Sequence, residues 1–182
     1  FIARGWGRDG DGNSYNRTNV FDLSDHLIDA FITENVSENK RSGFYTNLNG
    51  KHEFNPKTGR SITLDLDYNQ FNTNTSNDLT IYPTEQLSNR SLSEQVVKQP
   101  VDIWVVKSDY THPFDSTFKF ETGLKSSFAS VDNRLNFLRN EMKSNTESND
   151  FLYKENILGA YLNLNKNLKK FDFNAGVRME NT

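Results

Sequence analysis

The chain has 182 residues, enough for one domain of ordinary size, with a formal net charge of −3 and no cysteine. A disulfide framework and a thiolate metal site are therefore excluded, and so small a charge argues against a nucleic-acid binder. Mean hydropathy is −0.77, and the sequence holds no run of about 20 apolar residues, which excludes a transmembrane helix but not transmembrane strands, where only alternate residues meet lipid.

Fourteen Phe and seven Tyr against two Met suit a β-rich chain. The opening "FIARGWGRDGDG" lacks the basic start and apolar core of a signal peptide. Residues 1–42 read as loop or as a poorly defined segment, because "GRDGDGNSYNRTN" is rich in Gly, Asp and Asn. Further on, Leu27, Ala30 and Phe31 follow Ser24 and Asp25 at helix-like spacing, yet "AFITENV" would serve equally as a strand. Asp9, Asp11 and Asn13 match the first three ligand positions of a calcium loop. The sixth and twelfth positions are Ser14 and Val20, where such a loop needs Gly and Glu, so an acidic turn is the better reading.

From residue 43 the pattern is regular. Six alternating stretches follow, at 43–54, 62–71, 101–110, 118–131, 153–164 and 171–181. In the second, Ile62, Leu64, Leu66 and Tyr68 oppose Thr63, Asp65, Asp67 and Asn69; alternation of this kind is a strand with one apolar and one polar face. The fourth sets Phe118, Phe120, Leu124 and Phe128 against Lys119, Glu121 and Lys125. The sixth sets Phe171, Phe173, Val177 and Met179 against Asp172, Asn174, Arg178 and Glu180. The connections at 55–61, 111–117 and 165–170 are short, whereas 72–100 and 132–152 are long and rich in Asn, Ser and Thr. In an up-and-down meander every short connection then falls at one end, the asymmetry of an outer-membrane barrel. The fold class expected is all-β, an antiparallel up-and-down meander forming part of a transmembrane β-barrel, with about six strands over 43–182. A soluble or surface-exposed β-sandwich module, binding glycan or protein, is the alternative; it would bury the same apolar residues between two sheets.

Face matching and charge matching predict a register. Phe54 opposite Ile62 places Lys51 across from Asp65; Tyr110 opposite Phe118 places Asp109 across from Lys119 and Lys107 across from Glu121. Aromatic ends near the short turns (Phe54, Tyr110, Phe118, Phe171) and towards the long connections (Tyr68, Trp104, Phe128) would form two interfacial girdles.

Catalytic motifs are missing from the sequence: there is no Ser/His/Asp or Cys/His arrangement, phosphate loop or HExxH, and His26, His52 and His112 lack metal spacing. Neither an enzyme nor a cofactor is expected. Ligand contact would fall to the lumen-facing cations Lys107, Lys125 and Arg178, and to the long stretch "DLTIYPTEQLSNRSL" with Ile81 and Tyr82.

Four stretches, "LDLDYNQFNTNTSND", "VDIWVVKSDYTHPFDSTFKFETGLKSSF", "FLYKENILGAYLNLNK" and "FDFNAGVRMENT", resemble in that order the barrel portion of TonB-dependent outer-membrane receptors, in the outer-membrane β-barrel family common in Bacteroidota. The resemblance covers about 43–182. It implies ligand-gated uptake across the bacterial outer membrane through a plugged barrel of about 22 strands. It also implies as partners the lipid bilayer and lipopolysaccharide, an energy-coupling inner-membrane complex acting through parts not in this chain, and a surface lipoprotein; nucleic acid is not among them. No plug or motor-binding box is recognisable here, and six strands do not close such a barrel, so the chain is expected to be a segment of a larger one.

Overall fold

A computed structural model describes residues 1–55, 57–83 and 91–182. Every regular element in it is a strand: β1 (Ile2–Phe21), β2 (Leu27–Asn55), β3 (Arg60–Pro83), β4 (Ser91–Pro113), β5 (Phe118–Arg139), β6 (Met142–Lys143), β7 (Asn149–Leu168) and β8 (Phe171–Asn181). They form one antiparallel sheet in the order β1-β2-β3-β4-β5-β7-β8, with the short β6 paired to β5. The meander expected from loop asymmetry is therefore present.

A sandwich needs a second sheet over the apolar face. Among the described residues there is a single layer, and Ala30 is the only buried apolar residue. Leu64, Leu124, Leu162 and Phe173 stand 42–66% exposed. The soluble-sandwich alternative fails on this point, because leaving a contiguous leucine and phenylalanine face in water forfeits roughly 25 cal/mol for each Å² left uncovered. Lipid is the solvent that suits such a face.

Residues 1–42 are not loop: β1 and the first part of β2 pair over 20 residue pairs, from Ile2 opposite Asn47 to Phe21 opposite Leu27. Asp9, Asp11 and Asn13 accordingly lie on one face of a strand rather than around a calcium loop. The stretches read as long connections are likewise mostly strand, since β3 continues to Pro83, β4 begins at Ser91 and β5 continues to Arg139. Their polar composition misled because both faces meet water there, so no apolar alternation is required.

Both predicted registers are wrong by an even number of residues. Ile62 pairs with His52 rather than Phe54, so Asp65 faces Asn49 and Lys51 faces Thr63. Tyr110 pairs with Thr122 rather than Phe118, so Lys107 faces Lys125, Asp109 faces Gly123, and Lys119 faces Pro113. An even shift leaves the two faces intact, and the lipid-side set stands unchanged. Turn chemistry decided the register. The Asn55 carbonyl accepts from the Thr58 and Gly59 amides (both 3.1 Å), and Gly59 takes φ 72°, a backbone conformation suited to glycine. In the next turn Asp115 Oδ1 accepts from the Thr117 amide (2.6 Å), the Thr117 hydroxyl (2.7 Å) and the Phe118 amide (2.8 Å). These tight turns draw the strands closer to their tips than seven-residue loops would.

Hydrogen bonds from the Thr117 side chain, and then from the backbone, hold the Asp115 carboxyl down at about 2. A carboxyl depressed below its ordinary value of 3.8 stabilises the fold above that value, and the contribution is lost as pH falls through the folded one. Asp115→Asn is therefore expected to lower stability at neutral pH. The gap from wild type should close between about pH 4 and pH 2 in urea unfolding curves taken across that range.

Candidate functional site

Regular pairing keeps the faces separate from β2 to β8. On one face lie the apolar positions, with Tyr68 and Trp104 stacked at 4.3 Å and Trp104 opposite Phe128. These three form the girdle expected away from the short turns. At the other end Phe54 and Tyr110 meet at 6.4 Å, and Phe114 stacks on Phe118 at 4.9 Å. The opposite face is polar: Tyr161 of β7 reaches across Gly123 of β5 and donates its hydroxyl to Asp109 of β4 at 2.5 Å.

Midway between the girdles this polar face holds a cavity of about 900 Å³, whose lining includes Asp65, Asp67, Lys107, Lys125, Tyr161 and Arg178. The three lumenal cations read from the sequence are thus brought to one place. Lys107 binds Asp109 at 2.6 Å within its own strand, and Arg178 binds Glu180 at 2.8 Å. Lys119 likewise binds Glu121 at 2.8 Å and Lys51 binds Glu53 at 2.6 Å. Each predicted cross-strand ion pair is replaced by a pair two residues apart on one strand, where side chains share a face and the long lysine stem reaches its neighbour. Asp67 accepts from Tyr45 (3.2 Å) and Asn47 (2.8 Å), and Asp65 accepts from Asn49. Lys125 faces Lys107 in register and makes no ion pair among the described residues. Of the three cations lining the cavity it is the one without a carboxylate partner among the described residues.

Ile81 and Tyr82 do not join this group. They lie on β3 itself, about 50 Å of strand beyond Asp65, and Tyr82 donates its hydroxyl to Glu34 at 3.0 Å. The rest of that stretch, 84–90, lies outside the described residues.

Two features of the wall escaped the sequence reading. Tyr161 packs flat over Gly123, the residue directly opposite, so a Cβ there would collide with the ring. Trp6 covers Gly43 in the same way. An aromatic residue opposite a glycine on one face is the signal, but it is visible only in the correct register. Above the girdle, an apolar row crosses the lumen-side face, with Trp6, Gly43, Phe71, Val101, Val131 and Tyr153 successively opposite one another. The lumen wall therefore changes from charged at mid-depth to apolar higher up.

An antiparallel sheet with an uncovered apolar face, two aromatic girdles and a polar opposite face is the wall of a transmembrane β-barrel. The chain belongs to the outer membrane protein beta-barrel family, whose model matches residues 52–182. It is accordingly a protein of the bacterial outer membrane. No curated protein matches the chain.

Proposed function

We propose that this wall is part of a TonB-dependent receptor that takes up a polar ligand, energised from the inner membrane through parts of the barrel protein outside this sequence. The observation that carries the reading is the mid-depth cavity, where Lys107, Lys125 and Arg178 meet Asp65 and Asp67. Support also comes from strand length. β3 runs 15 residues beyond Tyr68, about 50 Å of sheet that rises past the bilayer and suits capture of a large solute. Lipopolysaccharide around the outer girdle and a surface lipoprotein over the tall strands complete the proposed assembly. No catalytic step is assigned to any residue.

The test is uptake of a panel of large polar nutrients: metal chelates, cobalamin, oligosaccharides and peptides. Deleting the gene should abolish use of at least one, and de-energising the inner membrane should abolish the same one. Lys107→Glu with Lys125→Glu should lower that uptake by about tenfold, in line with the loss of a charge-assisted contact or two. Unimpaired uptake of the whole panel by the deletion strain, or uptake that persists in de-energised cells, would contradict the reading.

A further inference from the structure

The lipid-facing surface carries its own charge pattern. From the girdle at Tyr68, Trp104 and Phe128 down to the short turns, the lipid-side positions of β2 to β8 hold no acid among the described residues. They hold two cations, Arg60 and Lys166, both at the turn end. Each is set among aromatic rings. The Arg60 guanidinium lies 5.1 Å from the centre of the Phe54 ring and 5.7 Å from that of Tyr110, and its Nε donates to the Tyr110 hydroxyl at 2.7 Å. Lys166 Nζ lies 5.3 Å from the Phe118 ring centre and donates to Thr117 Oγ1 at 2.8 Å.

A charge on a lipid-facing strand is costly unless it sits at headgroup depth and finds a counter-charge there. Lys57, Lys169 and Lys170 in the adjoining turns add three more cations. The one acid in those turns, Asp115, is 3.5 Å from Lys166 and already engaged by its own turn. Counted over the lipid side and the turns, five cations stand against one acid among the described residues, while Glu53 and Asp172 at this end lie on the lumen side. Arg60 keeps both terminal nitrogens without a hydrogen-bond acceptor among the described residues, and a fork of that shape matches two phosphate oxygens. Three strand steps separate β3 from β7, so Arg60 and Lys166 stand about 14 Å apart across the sheet and would hold separate headgroups.

The geometry points to a phospholipid-binding rim: Arg60 and Lys166 each take the phosphate of an anionic phospholipid in the leaflet at the short-turn end, which in outer-membrane barrels is the periplasmic one. The site is independent of whatever ligand the lumen handles.

Native mass spectrometry of the intact protein, extracted from membranes into micelles doped with equal phosphatidylglycerol and phosphatidylcholine, tests this directly. Wild type should retain phosphatidylglycerol over phosphatidylcholine by about threefold or more. Arg60→Gln with Lys166→Gln should erase that preference, whereas Lys98→Gln, far up β4, should leave it intact. Equal retention of the two lipids by wild type overturns the inference, and so does a folded double variant that keeps the preference. The wild-type comparison needs no variant, so a misfolded double substitution does not shield the claim.

Discussion

Leu124→Arg is expected to cost about 2–4 kcal/mol of folding stability in a bilayer, and Leu64→Arg a similar amount. Both side chains lie on the lipid face near mid-depth, and both stand largely uncovered by protein, Leu124 at 66% exposed and Leu64 at 47%. In a water-soluble protein an arginine at so exposed a position would be nearly neutral. In hydrocarbon the same exposure is what makes it costly, since the guanidinium has no water and no protein partner. Ser127→Arg supplies the control. Its neighbour Phe128 is on the lipid face, so Ser127 points to the lumen side, and substitution there should cost well under 1 kcal/mol. Urea unfolding of the barrel protein from lipid vesicles measures all three. Equal costs at the two leucines and at Ser127 would remove the distinction between the faces.

The second large effect is expected at Gly123. A methyl group there would overlap the Tyr161 ring and meet the Asp109 carboxylate at 2.5 Å. Neither neighbour can withdraw easily, because the Tyr161 hydroxyl is bonded to Asp109 and Asp109 is also held by Lys107. Gly123→Ala should therefore destabilise by roughly 1–3 kcal/mol, the usual cost of overpacking. Tyr161→Ala removes the ring that collides. In the Tyr161→Ala background the added methyl should cost much less, giving a coupling energy of about 1 kcal/mol or more in a double-mutant cycle. Additive effects would show that the ring does not rest on the glycine.

How much of this was legible in the sequence differs by region, for physical reasons. Ile62, Leu64 and Leu66 could be assigned to lipid and Asp65 and Asp67 to the lumen because a bilayer imposes strict alternation on whatever spans it. Beyond Tyr68 and Trp104 that constraint ends. Both faces of "GRDGDGNSYNRTN" are wetted, so its strand structure depends on backbone pairing with β2, which composition does not encode. The register failed for a related reason. Charge matching across strands was a weak constraint, because Lys107 finds Asp109, and Lys119 finds Glu121, two residues along the same strand whatever lies opposite. The decisive information sat in the turns, in Asn55 with Gly59 and in Asp115 with Thr117. At the candidate site, Lys107, Lys125 and Arg178 were found from residue type and face alone. Tyr161 was not, since its partners Gly123 and Asp109 become its neighbours only once the register is right.

One face of this sheet meets lipid and the other meets water, residue by residue. The chain has no cysteine, so single cysteines placed from Ile62 to Asp67 and spin-labelled report without background. Collision with oxygen, which concentrates in lipid, should be high at Ile62, Leu64 and Leu66. Collision with a water-soluble nickel chelate should be high at Thr63, Asp65 and Asp67, so that the two profiles run out of phase with a period of two. Labels at Ile62, Leu64 and Leu66 that are shielded from both collision partners would mean a buried core and no lipid-facing surface on this sheet.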